Sequence, residues 1–363
     1  MTIDYAARID RARQRMRHRG VDALLLSIGA DLPYLTGYQA MPLERVTMLV
    51  LTLDGEPTLV VPKLEAPRVE PGPFKIETWD ETDDPFTAIT AAAGRPTVAA
   101  VGDQTWSSFL LPLLARMSET TFVSAGGVMG DLRVRKDRHE ISLLRAAAES
   151  VDRVSLRIPR EVGFAGRSER AIARDIVDLM LEEGHDSGSF WIVASGPNGA
   201  SPHHEPGDRI CAGGDAVVVD FGGRMGGYCS DTTRTFVIGK PDPELVRVHA
   251  VVEEAQLAGR EAAAAGVRAE QVDKAAREVI DRAGFGPFFT HRLGHGIGME
   301  THEPPYLVAG NGQELAPGMA FSIEPGIYLP GRFGVRIEDI CVIEEDGSAV
   351  ALNVAPRGLV TVG

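Results

Sequence analysis

The alternation of apolar and polar positions changes rhythm several times along the chain, and each change predicts an element. Residues 5–19 set Ala6, Ile9, Ala12 and Met16 on one side of a 3.6-residue period, and Gly20 follows as a stop, so a surface helix is predicted there. The next run, VDALLLS, is apolar and short, as in a buried strand. Residues 47–62, TMLVLTLDGEPTLVVP, are two apolar runs joined by Asp54-Gly55, which predicts a hairpin. Residues 97–101 give one more strand. Helical and strand segments alternate to about residue 130, the pattern of a small α/β domain.

Residues 132–159 then read as a long helix entered from a charged stretch, and the domain boundary is placed near Gly130, giving domains of 1–130 and 131–363. A second helix is predicted over 168–183, with Ile172, Ile176 and Leu179 on one face. Strands and turns occupy 190–238, two helical segments broken at Gly266 occupy 244–283, and strands and turns dense in Gly and Pro complete the chain. Helices followed by strands, twice over, fit an α+β layout with helices on one face of the sheet. Each half brings acidic residues from its strands, and pseudo-symmetric halves would set one pair opposite the other.

Composition narrows this picture. A length of 363 residues suits two domains. The formal net charge of −14 argues against a nucleic-acid or anionic-membrane binder. Three cysteines without CxxC spacing point to reduced thiols and a cytoplasmic protein. The charged N-terminal segment has no apolar core, and no run approaches a membrane span.

The chemistry lies in the second half. In residues 216–239, AVVVDFGGRMGGYCSDTTRTFVIG, Asp220 ends an apolar strand and Asp231 follows eleven residues later, across a glycine-rich stretch suited to a hairpin loop. An acid after three valines and beside a phenylalanine is poorly placed as a turn or cap, and buried charges of this kind are usually paired or metal-bound. In HRLGHGIGMETHEPPYL, residues 291–307, His295 stands among glycines that permit close backbone approach, and His302 follows as a proton-transfer or supporting group. In residues 319–347, Glu324 ends an apolar strand before Pro-Gly, and Glu338 sits in a second strand, VRIEDICVI. Asp339 should face the opposite way, and Arg336 shares the Glu338 face, where it could neutralise excess carboxylate or orient substrate. His203 and His204 are neighbours in a Gly/Pro-rich loop, so only one is expected to line a site. Four carboxylates (Asp220, Asp231, Glu324 and Glu338) with His295 form a hard donor set that suits two divalent ions, which carboxylates can bridge, and so a hydrolytic di-metal site.

Taken together, VVDFGG…YCSDTTRTF, HRLGHGIGMETHEPP, FSIEPGIY and GVRIEDI resemble the pita-bread metallopeptidases, in the Xaa-Pro dipeptidase (prolidase) and Xaa-Pro aminopeptidase branch. DLPYLTGY and the helix after it are similar to that family's creatinase-type N-terminal domain and linker helix. The resemblance implies an α/β creatinase-like domain followed by an α+β pita-bread catalytic domain with pseudo-twofold halves. It implies that Asp220 binds one metal, that Asp231 and Glu338 bridge both, and that His295 and Glu324 complete the shell of the other. It further implies Glu324 as proton relay, His203 and His302 as substrate-facing groups, Arg336 as support, no clear role for His204, and a homodimer. Manganese is the family-based expectation, with Co, Zn and Fe acceptable to the same donors. The substrate implied is a proline-containing di- or oligopeptide cut before proline, by a dipeptidase or by an aminopeptidase acting on longer peptides. A metal-independent creatinase-type hydrolase and a non-catalytic binding homologue are disfavoured by the intact ligand set. A methionine aminopeptidase is disfavoured by the separate N-terminal domain.

Overall fold

The computed structural model describes residues 3–363, which divide into two compact units at Arg133/Val134. Gly130 lies inside a short helix, Gly126–Arg133, so the units meet three residues beyond it.

In the first unit, Asp4 caps the helix Tyr5–Arg19 by accepting from the Ala7 N–H, and Gly20 ends it in the left-handed conformation at φ 66°. Six strands form one mixed sheet, in the order Lys75–Trp79, Thr58–Pro62, Met48–Thr52, Ala23–Leu26, Val98–Val101, Thr121–Ser124. Ala23–Leu26 is the continuous apolar run, and every residue of it is buried, because it lies between neighbours on both edges with helices covering the sheet.

The second unit repeats one plan. Helices Arg138–Glu161 and Glu169–Glu182 precede a sheet ordered Val360–Val362, Thr232–Ile238, Ala216–Met225, Ser187–Ser195. Helices Pro243–Ala262 and Ala269–Arg282 precede a second sheet ordered Glu303–Leu307, Gly294–Gly296, Ala320–Ile323, Asp339–Ile343, Ala349–Ala351. Each half has its own apolar core, one centred on Val151, Ile176 and Val219, the other on Val252, Ile280 and Phe321. An isolated bridge between Thr233 and Glu338 links the start of Thr232–Ile238 in one sheet to the residue just before Asp339–Ile343 in the other.

Three local readings are corrected. The long helix starts at Arg138, not at residue 132, because Asp137 and Glu140 form a reciprocal capping box that stops it there. The glycine-rich stretch after Asp220 is strand as far as Met225. The turn proper is the pair Gly226-Gly227, both at positive φ (57° and 84°), as a two-residue hairpin requires. VRIEDICVI is two strands: Phe333–Arg336 pairs with Gly326–Leu329 in a separate hairpin, Asp339–Ile343 joins the main sheet, and Glu338 lies at the break between them. All three cysteines are buried and unbonded. No helix among the described residues is long and apolar enough to cross a membrane.

Candidate metal centre

Backbone pairing brings the acids together. Register pairs Thr233 with Asp220 across the hairpin, so Asp231, just before that strand, comes beside the Asp220 end. Ile323 pairs with Asp339, which sets Glu324 and Glu338 side by side at the ends of adjacent strands. The Thr233–Glu338 bridge then closes the gap between the two halves. Gly294 and Gly296 make the passage of His295 possible: a Cβ on Gly294 would stand 2.0 Å from the Ser322 carbonyl oxygen, and one on Gly296 2.2 Å from that of Pro304.

The ligand-type atoms of Asp231, His295 and Glu338 lie within 4.8 Å of one another, and all three residues are buried. The Nε2 of His295 is 3.3 Å from Glu324 Oε1 and 3.7 Å from Asp231 Oδ2. Its Nδ1 faces the Gly296 carbonyl at 3.1 Å, which can only accept, so the proton belongs on Nδ1 and the Nε2 lone pair points at carboxylate oxygens. Burial, with the neighbouring His302, pushes His295 down to about 3, which keeps the ring neutral.

Two of the carboxylates are held by one oxygen each. Arg336 Nη2 donates to Asp220 Oδ2 (2.6 Å), while Asp220 Oδ1 is buried without a partner among the described residues. Thr233 Oγ1 donates to Glu338 Oε2 (2.7 Å), while Glu338 Oε1 is likewise orphaned. Burial, then the Glu338 and Asp220 carboxylates, push Asp231 well above the usual carboxylate range. Burial, then Glu324 and Asp220, do the same to Glu338, and burial takes Glu324 up to about 7. Two orphaned oxygens, a neutral imidazole lone pair and mutually repelling carboxylates are what divalent cations would satisfy, so the residues fit such a group.

These groups open into a cavity of about 790 Å³ that is also lined by His203, His204, Arg292, His302 and Arg336. His203 is exposed, and His204 has its Nε2 2.8 Å from Oε2 of the buried Glu169; both neighbours line the cavity, so the expectation that only one of them would is corrected. His302 stands on the exposed rim with its ring edge-on to His295, centroids 4.2 Å apart. Asp339 points away from the cluster into a buried network with Arg234 (2.8 Å), Gln256 (2.9 Å) and Arg357.

Sequence reasoning passed over His291 and Tyr328. Arg336 Nη1 donates to Tyr328 Oη (2.8 Å), and Tyr328 Oη in turn meets His291 Nε2 (2.9 Å), whose Nδ1 donates to the Arg292 carbonyl (2.7 Å). Burial, reinforced by Arg336, pushes His291 down to about 4, and burial pushes Tyr328 up to about 12. Their signal was positional: each lies four residues from a recognised ligand, His295 and Glu324. Phe190, Trp191 and Ile192 on one edge strand supply the apolar wall of the cavity and left no motif.

A buried carboxylate–imidazole cluster at the seam of a doubled helix–sheet fold, open to a peptide-sized cavity, is the arrangement of a metallohydrolase. The chain belongs to metallopeptidase family M24, which residues 142–345 match, and residues 8–135 match the creatinase/prolidase N-terminal domain. It is 44% identical to the probable dipeptidase PepE of Mycobacterium tuberculosis, over 99% of this chain and 96% of that one. It is 34% identical to an Xaa-Pro dipeptidase of Lactobacillus delbrueckii subsp. lactis, over 93% and 95% of the two chains. The crystal structure of a recombinant prolidase from Thermococcus sibiricus superposes with a TM-score of 0.96 at 37% identity, covering 100% of both chains. The protein is thus a metallopeptidase, a hydrolase of peptides that works with divalent metal.

Proposed function

We propose that this protein is an Xaa-Pro dipeptidase that uses two divalent ions, manganese foremost. Asp220, Asp231, His295, Glu324 and Glu338 would hold the pair. The observation that carries the reading is the convergence of ligand-type atoms of Asp231, His295 and Glu338 within 4.8 Å of one another, with an orphaned buried oxygen on Glu338 and another on Asp220, which lines the same cavity. The proline specificity is supported by the relatives, which are named Xaa-Pro dipeptidase and prolidase.

When bound, the cations supply Lewis acidity, lowering the pKa of water and polarising the scissile carbonyl. The chain supplies the rest. Glu324, with Oε1 held by Ser322 Oγ (3.2 Å), takes the proton of the attacking water and passes it to the departing proline nitrogen. His203 and His302 line the cavity from two separate segments and hydrogen-bond the carbonyl oxygen and the proline-side groups. Arg336 orients Asp220 by donating to its Oδ2. The apolar wall of Phe190, Trp191 and Ile192 excludes water beside the substrate.

The test is hydrolysis of Ala-Pro and Ala-Pro-Ala by metal-stripped enzyme with manganese added back. Cleavage of Ala-Pro only is the expected result. Cleavage of the tripeptide at its Ala-Pro bond would make the protein an aminopeptidase, and cleavage of neither by the metal-loaded enzyme would end the proline-specific reading.

A further inference from the structure

The segment that carries His203 has little regular structure of its own. Ser195 ends a strand, Gly196–Ala200 is a short 3-10 turn, and residues 201–209 are irregular. One carboxylate gathers it. Glu169 is fully buried, and its Oε1 accepts from the Ser195 N–H (2.8 Å), Ser195 Oγ (2.8 Å) and Asn198 Nδ2 (3.0 Å). Its Oε2 accepts from Asn198 Nδ2 (3.2 Å), His204 Nε2 (2.8 Å) and the Gly207 N–H (3.2 Å). Every one of these donors belongs to residues 195–207.

The carboxylate is presented from a rigid base. Glu169 is the first residue of the helix Glu169–Glu182, which Ser168 caps and which Ile172 and Ile176 anchor in the core. The far end of the loop is tied to the same turn of helix: the Glu169 N–H donates to the Arg209 carbonyl (3.1 Å) and the Arg170 N–H to that of Gly207 (3.0 Å). Arg209 in turn clasps Asp215 through both terminal nitrogens (2.7 and 3.0 Å). Burial would push the Glu169 carboxyl up, but the Ser195, His204 and Asn198 donors outweigh it and hold it below its ordinary value. The group is therefore an anion, which only accepts, and hydrogen bonds to an ionised acceptor are about twice as strong as neutral ones. A backbone without a strand partner is thus ordered around one charge.

We propose that Glu169 is a positioning residue for the reaction: by folding residues 195–207 around its carboxylate, it aims His203 at the substrate. Glu169 is not among the residues that line the cavity, whereas His203 is. The His203 side chain is exposed, so its place follows from its backbone more than from packing. That backbone is fixed one residue away, at His204, because consecutive Cα atoms are about 3.8 Å apart. Glutamine at position 169 keeps the size of the side chain, but one of its two ends becomes an NH2 that must face donors. Part of the loop is then released whichever way the amide is turned. The assignment rests on the peptidase role of His203.

The experiment is a double-mutant cycle between Glu169→Gln and His203→Ala, on manganese-loaded enzyme matched for bound metal, with whichever of Ala-Pro and Ala-Pro-Ala the wild type cleaves. Glu169→Gln alone should lower kcat and kcat/KM together by about 10- to 100-fold, as when an interaction made in the transition state is lost. His203→Ala should lower them roughly 100-fold, and the double variant should match His203→Ala to within about twofold. A merely structural role, acting by general loosening, would instead make the two losses multiply. Multiplied losses, or wild-type turnover in Glu169→Gln, would overturn the role of Glu169 and leave the peptidase reading standing. Wild-type turnover in His203→Ala would overturn the role of both residues, and cleavage of neither peptide by wild type would overturn the reading with them. Where Glu169→Gln does not fold, Asn198→Ala takes its place in the cycle, since it removes only the Asn198 bonds and leaves the carboxylate to Ser195, His204 and Gly207. It should cost several-fold in kcat alone and nothing on top of His203→Ala, and a further loss on top would overturn the proposal.

Discussion

Arg336 Nη2 donates to Asp220 Oδ2 at 2.6 Å, with the two side chains only 3% and 12% exposed. The same guanidinium donates through Nε to Thr233 Oγ1 (3.2 Å), and that hydroxyl donates to Glu338 Oε2 (2.7 Å). One arginine thus orders a carboxylate from each half of the catalytic fold. Breaking a buried pair by removing one partner leaves an uncompensated charge and typically costs about 3–5 kcal/mol. Arg336→Met should lower the urea stability of the metal-free protein by an amount of that order, and Arg336→Lys by less. An unchanged urea midpoint would show that Asp220 does not depend on Arg336.

Glu338→Gln should act in opposite directions on the two forms of the protein. The Glu338 pKa is raised in the fold, by burial and then by Glu324 and Asp220, so ionisation at neutral pH costs stability that is absent below the unfolded value. Gln removes that cost, so the variant in EDTA should melt higher than wild type. The same change removes a proposed ligand, so metal affinity should fall by more than the roughly 10- to 100-fold that loss of a supporting partner produces. Calorimetry with and without manganese reads both effects, and a wild-type metal shift in the variant would remove Glu338 from the ligand set.

His203→Ala should leave fold and bound metal unchanged, because the His203 side chain is exposed to the cavity. Turnover of Ala-Pro should drop roughly 100-fold, as expected on removing a hydrogen-bonding group that acts in the transition state. His204→Ala should instead lower stability, since it deprives the buried Glu169 of a 2.8 Å partner. Equal turnover losses in both variants, at equal stability, would contradict the division of labour between the two neighbours.

His249 offers a pH-dependent test away from the metal centre. Burial pushes it from 6.5 down to about 4, and its Nε2 has no hydrogen-bond partner among the described residues. The folded protein keeps the ring neutral while the unfolded chain protonates it near its ordinary value. Its share of stability is therefore complete above about pH 6.5 and is lost as the pH falls toward 4, roughly 3 kcal/mol in all. His249→Leu should flatten that part of the pH–stability curve relative to wild type, measured by urea unfolding at pH 7 and pH 4.5 under the same metal conditions. Parallel curves would mean that His249 is protonated in the fold.

Much of this protein was legible in its sequence, because local physics suffices for it. Apolar period and capping residues marked most helices, the Asp54-Gly55 turn marked a hairpin, and acids directly after apolar runs, such as Asp220 and Glu324, stood out since burial of an unpaired charge is costly. Alternation along a strand also separated Asp339 from Glu338, and the structure turns Asp339 into the Arg234 and Gln256 network. What the sequence could not decide was anything set by pairing between distant strands. The break that places Glu338 opposite Thr233, the chain of bonds from Asp220 through Arg336 and Tyr328 to His291, and the stacking of Arg292 on Tyr306 all depend on register across the sheets. Register is chosen by burial of whole faces and not by the residues that happen to meet, so these contacts carry no local signature and appear only in the folded chain.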